Sequence, residues 1–432
     1  MKQFLKQIVI LILALQGKLI LKKYKPKIVA ITGSVGKTSA KEAIAKVLES
    51  SFKVRASEKS YNSDFGVPLT IIGAKSGWDS PVMWMKAMLE GFRIFFTRVD
   101  YPEVLVLEVG ADRPGDIKRI RGWMTPDVAV VTALAATPVH IEFFQNPEEV
   151  FEEKAELIKN LPKDNWAVLN LDDPNVRTIR GSTQANIKSF GYGDGLEARG
   201  SDYKIMLRKE GVRTVPEGIE FKAICEGSEV SIKIEGAFGK HQTYAALAAI
   251  AVGLVFKISL EDSARALSLY VAPPGRLRLI KGIKNSWILD DTYNSSPKAV
   301  EAGLETLSEI PAERKIAVLG DMLELGKYTI TAHREIGKML VGKVDMLYAV
   351  GLRAKFFIEG AIKGRFKKSE ILSAPDSVSA SGELEKLIKP GDLILIKGSQ
   401  SIRMEKIVEN IMAEPERASE LLCRQEREWK DR

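Results

Sequence analysis

Along the chain, short apolar runs rich in β-branched residues alternate with longer stretches whose apolar positions recur every three or four residues. Ile28, Val29 and Ile31, then Glu103–Val109, Asp127–Thr132 and Ala167–Asn170, read as covered parallel strands. Helices are predicted between them: one through Ala43, Ile44, Val47 and Leu48, one over Met83–Phe96 and one over Pro147–Leu161. The last has Asn146 as N-cap, proline at its first position, and Glu148 and Glu149 in its first turn. Such alternation predicts an α/β fold with a parallel sheet covered on both faces. Tyr203–Ile234 breaks the rhythm with short alternating β segments, expected as an antiparallel flap, before helices resume over His241–Phe256 and Leu260–Tyr270. Ala272-Pro273-Pro274-Gly275 is the clearest linker. Beyond it, strands near Trp287–Asp290, Ile316–Leu319, Met346–Val350 and Leu393–Ile396 predict a second, Rossmann-like open sheet. The expected division is an apolar and basic N-terminal helix over 1–25, a central domain with a β-rich insertion over 26–272, and a C-terminal α/β domain over 273–432. The charged residues from Glu414 onward are expected to form a loosely held helix.

The N-terminal segment admits more than one reading. Ile8–Leu15 is an unbroken apolar run, preceded by Lys2 and Lys6 and followed by Lys18, Lys22, Lys23, Lys25 and Lys27. A spanning helix needs about 20 apolar residues, and Gln16, Gly17 and Lys18 interrupt this one. The residues fit a helix packed on the protein body or an interfacial helix whose lysines meet lipid phosphates over residues 1–22.

Composition narrows the function classes. With 432 residues, 45% apolar and 28% charged, the chain has ample core for two or three domains. Two widely separated cysteines, Cys225 and Cys423, imply neither a disulfide framework nor a thiolate metal site, and fit a cytoplasmic setting. The net charge of +8 favours anionic ligands such as nucleotides or acidic lipid surfaces. No basic run is interleaved with stacking aromatics, so nucleic acid is not expected as a partner.

Lys27–Ser39 reads K-I-V-A-I-T-G-S-V-G-K-T-S, a buried strand and a glycine turn leading to Lys-Thr at the head of a helix. The full P-loop spacing would place glycine at position 31, where Ile31 stands, so the loop is the tighter Gly33-Ser34-Val35-Gly36-Lys37-Thr38-Ser39. Its amides open a helix and point at an anion, Lys37 reaches the terminal phosphates of a nucleotide, and the Thr38 hydroxyl suits Mg2+. Glu108 stands at the carboxyl end of a strand, where open α/β sheets place ligands. His140 follows another strand, and Lys154 sits among Glu152, Glu153 and Glu156. Singly, these are a loop cap, a satisfied histidine and a solvated lysine; together with the phosphate loop they form a candidate site.

These motifs, in order, resemble those of the Mur ligases, ATP-dependent amide-forming enzymes of peptidoglycan assembly. The resemblance runs through Ile31–Ser39, Tyr61-Asn62, Gly66–Thr70, Glu108–Ala111, His140 with Lys154, Asn170–Asp173, Gly239-Lys240-His241 and Pro274-Gly275-Arg276. Asp290–Pro297, Leu319–Gly326 and Lys397-Gly398-Ser399 favour the branch that joins D-alanyl-D-alanine to a UDP-muramoyl tripeptide. It implies a monomeric enzyme in which the loop and Lys37 hold phosphates, Thr38 and Glu108 ligate one Mg2+, and His140 ligates a second. Lys154 matches a lysine that can carry a carbamate and so become a metal ligand. Arg276, Asp291, Tyr293 and Asn294 would reach ATP from the C-terminal domain. The family's His-Asn-x-x-Asn-Ala helix reads His241-Gln242-Thr243-Tyr244-Ala245-Ala246 here, so Gln242 is expected to keep a nucleotide contact that Ala245 cannot make. Family members usually carry a further N-terminal domain that grips UDP, whereas about 25 residues precede the first strand here. The expectation is therefore that Ser60, Asn62 and Asp64 bind the UDP end, or that a partner or membrane proximity replaces that grip. The alternatives are an amide ligase acting on another carboxylate, such as a folylpolyglutamate or polymer substrate, and a catalytically silent nucleotide-binding scaffold.

Overall fold

The computed structural model describes residues 2–57, 61–78, 80–210 and 213–430. The first sheet comprises β1 (Lys27–Thr32), β2 (Val54–Ala56), β3 (Val104–Glu108), β4 (Val128–Val131), β5 (Trp166–Asn170), β6 (Asn186–Gly191), β7 (Ala198–Glu210), β8 (Arg213–Cys225) and β9 (Ser228–Glu235). Their order is β2-β3-β1-β4-β5-β6-β7-β8-β9, parallel from β2 to β7 and antiparallel thereafter. The expected flap is therefore an extension of this sheet, joined through the short β6–β7 pairing at Phe190 and Gly191.

The second sheet comprises β10 (Arg278–Lys281), β11 (Trp287–Asp291), β12 (Arg314–Gly320), β13 (Met346–Val350), β14 (Ile371–Ala374) and β15 (Asp392–Lys397). Its order is β10-β11-β15-β12-β13-β14, with only β10 antiparallel. β10 and β14 are four-residue edge strands. They lack the continuous apolar run that marks a strand covered on both faces, and so escaped the sequence reading.

Helices position the site. They are α1 (Lys2–Tyr24), α2 (Lys37–Leu48), α3 (Gly66–Ile72), α4 (Pro81–Phe96), α5 (Asp116–Arg121), α6 (Pro147–Ala155), α7 (Pro174–Ile179), α8 (Lys240–Val255), α9 (Leu260–Leu267) and α10 (Pro297–Glu309). Apolar on every side, α8 is buried along its length from Ala245 to Gly253, as a helix without a polar face must be. It lies against α2, where a Cβ on Gly253 would press on Val47, so α8 backs the helix that carries Lys37.

Two expectations need correction. The helix capped by Asn146, whose Oδ1 accepts from Glu149 N at 2.9 Å, ends at Ala155 instead of Leu161. After Ala155 the amides of Leu157 and Ile158 bond three residues back, tightening the chain into turns. The C-terminal tail is not loosely held at Leu422–Arg424, which is buried; Arg424 Nη1 donates to Thr292 O at 3.1 Å and pairs with buried Glu405 at 3.1 Å. Of the readings open for the N-terminal segment, packing is seen: α1 lies on the body. Its Gly17 meets Trp123, Gln16 Nε2 donates to Met88 O at 2.7 Å, and Tyr24 stacks on Tyr101 at 4.5 Å. Among the described residues, no helix is long and apolar enough to cross a membrane.

Candidate active site

The phosphate-type loop runs from the end of β1 into α2. Gly33 and Gly36 have φ of +148° and +85°, and a Cβ on Gly33 would overlap the Thr132 hydroxyl. Thr132 Oγ1, at the end of β4, donates to Val35 O at 2.7 Å, and Ser34 N donates to Ala133 O at 2.6 Å. The segment at the end of the neighbouring strand thus fixes the loop at the head of α2. Ser34 Oγ is buried without a hydrogen-bond partner. Lys37 Nζ turns back to Gly33 O at 2.9 Å, and burial pushes its pKa down although Glu108 opposes the shift. Ser39 faces inward beside the Tyr270 hydroxyl.

Glu108, buried at the end of β3, accepts from Thr38 Oγ1 at 3.1 Å and from Asn62 Nδ2 at 3.2 Å. Lys154 is 4% exposed, and its pKa falls to about 7, first because it is buried and then because Lys37 lies near it. The adjacent Glu153 is spent on the start of α5, accepting from Gly115 N and Ile117 N at 2.7 Å each.

The loop leading into β10 contributes Arg276, whose Nη2 lies 3.3 Å from Thr38 Oγ1 and whose Cζ sits 4.2 Å from the Tyr293 ring centroid. Arg276 Nε is a buried donor without a partner. An orphaned guanidinium N–H, an orphaned serine hydroxyl and a lysine gathered at one glycine loop fit a polyphosphate. Behind Arg276, Lys397 Nζ pairs with Asp291 at 2.7 Å and donates to Asn294 O at 2.9 Å. Asp290 accepts from Gly275 N at 3.0 Å and Thr292 Oγ1 at 2.6 Å, and burial lifts its pKa to about 6. Asp291 and Asn294, expected to touch nucleotide, both bond to Lys397 behind the Arg276 and Tyr293 segments. The Asn294 side chain itself accepts from Ser295 N at 2.8 Å.

A cavity of about 280 Å³ opens beside the loop between Gly36, Asn170, His241, Tyr244 and Lys298. Burial, with Lys397 and Arg276 nearby, holds His241 at a pKa of about 4, and its Nδ1 lacks a partner. Lys298, on α10, pairs across the cleft with buried Asp173 at 2.9 Å. Gln242, expected as a nucleotide contact, is fully buried, and both ends of its amide are engaged. Its Nε2 donates to Arg276 O at 2.8 Å, and its Oε1 accepts from Tyr270 OH at 3.2 Å.

His140 adopts a left-handed conformation (φ 67°) and lies between two carboxylates, Asp112 at 3.4 Å and Glu324 at 3.0 Å. Hydrogen bonding to His140 draws the Glu324 pKa down. Among the described residues no three His, Cys, Asp or Glu side chains converge as a metal site. Thr38 and Glu108 fit Mg2+ as a minimal oxygen pair, because that ion keeps waters and phosphate oxygens as its other ligands. Of the residues expected to bind substrate, Asn62 braces Glu108, Asp64 pairs with Arg119 at 3.2 Å, and Ser60 lies outside the described residues. The sequence reading did not single out Asp112, Asp173, Lys298 and Glu324 as site residues; Asp112 was legible as the next carboxylate after Glu108 on leaving β3.

Residues 31–253 match the Mur ligase middle domain and residues 275–400 match the Mur ligase, glutamate ligase domain. A relative from Bacillus subtilis, UDP-N-acetylmuramoyl-tripeptide–D-alanyl-D-alanine ligase, is 30% identical, with 92% of this chain and 79% of the relative covered. The crystal structure of MurF ligase from Thermotoga maritima in complex with ADP superposes with a TM-score of 0.74 at 27% identity, covering 93% of this chain and 83% of that one. MurF from Acinetobacter baumannii, at 24% identity, shares the fold with a TM-score of 0.76 over 92% of this chain and 79% of its own. With the phosphate loop, the buried Glu108 and the Arg276 of the loop leading into β10 in place, this chain belongs to the Mur ligase family.

Proposed function

We propose that the protein is an ATP-dependent peptide ligase of peptidoglycan precursor synthesis that joins D-alanyl-D-alanine to a UDP-N-acetylmuramoyl tripeptide. The observation that carries this reading is the meeting of two halves at one point: Lys37, Thr38 and Glu108 from the first half, and Arg276 from the second, 3.3 Å from Thr38. The Bacillus subtilis relative is named for this reaction, and the Thermotoga maritima structure holds ADP.

The chemistry follows from the acid's inertness. A carboxylate oxygen of the tripeptide attacks the γ-phosphorus of ATP, ADP leaves, and an acyl phosphate results. The dipeptide amine attacks the acyl carbon, and phosphate departs with one former carboxylate oxygen while the amine gives up a proton. Loop amides and Lys37 orient the β and γ phosphates, and Arg276 meets the charge that builds on the transferring group. Thr38 and Glu108 are the residues that would hold Mg2+, which supplies further neutralisation of phosphate charge. Lys154, near neutrality at about pKa 7, presents the uncharged amine that carbamate formation requires. The 280 Å³ cavity at His241 and Tyr244 is suited to the nucleoside end of ATP, and burial of the chemistry between the two sheets keeps water from the acyl phosphate. The domain division at residues 272/273 and a cytoplasmic, monomeric state belong to this same reading.

Phosphate release tests it. With the UDP-muramoyl tripeptide present, ATP cleavage should rise on addition of D-alanyl-D-alanine and fall to background in Lys37→Met. Cleavage indifferent to both substrates would refute the ligase reading.

A further inference from the structure

α4 carries two apolar stripes. One packs inward through Ala87, Gly91 and Ile94. The other, Val82, Met85, Leu89, Phe92 and Phe96, recurs at intervals of three and four residues and faces solvent, with Phe96 76% exposed. α1 lies alongside in the same direction: Gln16 bonds to Met88 O and Lys23 bonds to Ile94 O and Phe95 O. α1 adds Ile8, Leu11 and Leu15, with Leu11 70% exposed. Half of the large exposed apolar side chains among the described residues lie on these two helices, nine of eighteen. Isolated exposed apolar residues need no explanation, but a concentration of this kind marks a contact surface.

Charge selects the occupant. Along residues 2–25 and 81–98 the sequence places nine lysines and arginines against one carboxylate, Glu90, and that carboxylate is already paired with Arg93 at 2.6 Å. On α1 the exposed stripe turns from Leu11 and Leu15 to Lys18 and Lys22. A second copy of the chain would lay one basic surface on another. An anionic bilayer surface accepts both features, apolar side chains entering the acyl boundary and lysines meeting phosphates.

We propose that α1 and α4 together form a membrane-docking platform that lies on, and does not cross, an anionic phospholipid surface. This inference stands on the surface alone and does not depend on the ligase reading. It extends membrane contact from the N-terminal residues to α4, which the sequence reading treated only as a helix.

The test is flotation of the whole chain with vesicles of phosphatidylcholine alone and with about 30% phosphatidylglycerol. Flotation is expected only with the anionic vesicles and should weaken as salt rises. Leu89→Glu with Phe92→Glu, and separately Lys18→Glu with Lys22→Glu, should each cut vesicle partitioning about tenfold or more. Thermal unfolding and ATP cleavage in solution should remain at the parent values, since all four side chains are solvent-facing and outside the catalytic cleft. Failure of the parent chain to float, or equal flotation of parent and variants, overturns the proposal. So does a concentration-dependent dimer that Leu89→Glu with Phe92→Glu dissolves while anionic vesicles capture nothing; the face would then be an interface between copies.

Discussion

Lys154 illustrates how a residue's meaning changes between sequence and structure. Surrounded by glutamates on a predicted helix, it reads as a solvated cation; in the fold it is buried near Lys37 and its pKa drops to about 7. A lowered folded pKa means that charging the group costs folding free energy. That cost is absent above the unfolded value near 10.5, grows as pH falls, and is complete below about 7. Lys154→Met should therefore stabilise the protein toward thermal unfolding, more at about pH 6.5 than at about pH 9.5, while ligation is lost. An equal change at both pH values would contradict the buried-cation account. Arg276 leads to a second expectation. Stacked on Tyr293 and reaching Thr38, it acts through a planar fork that lysine lacks. Arg276→Lys should lower kcat by about 10²-fold, close to the effect of Arg276→Ala, as measured by phosphate release.

At the level of elements, the glycine loop, β1, β3, β4, β5 and most of α2, α4, α6 and α8 were legible because periodicity and turn residues agreed. What stayed hidden depended on partners from elsewhere in the chain. Gln242 occupies a position expected to face nucleotide; in the fold its side chain is fully buried, and the amide ties α8 to the Arg276 carbonyl and Tyr270. Gln242→Leu should therefore destabilise the fold by about 1–3 kcal/mol, the usual cost of leaving buried polar partners unmet. Denaturant unfolding measures this, and unchanged stability would return Gln242 to the nucleotide. His140 likewise was marked as a metal ligand only by the family resemblance, and in the fold Asp112 and Glu324, from two different loops, lie against it. No local pattern announces a partner nearly two hundred residues away.

Across the whole molecule, the two halves share a continuous apolar core and are also tied by polar contacts that include Arg276 to Thr38, Lys298 to Asp173, and Glu324 to His140. The two α/β halves were evident in the sequence, but their mutual placement was not, because the side chains that meet across it are far apart in the chain. Lys298→Ala with Glu324→Gln should loosen this closure, raising the KM for ATP about fivefold and increasing the radius of gyration in solution scattering. Closure serves one end, making an unreactive acid electrophilic where water is excluded. Oxygen tracing tests that claim most directly. With 18O in the terminal carboxylate of the UDP-muramoyl tripeptide, mass spectrometry should find one labelled oxygen in the released phosphate for every amide bond formed to D-alanyl-D-alanine. Amide formation accompanied by unlabelled phosphate would show that the acid was never joined to phosphorus, and would contradict the account.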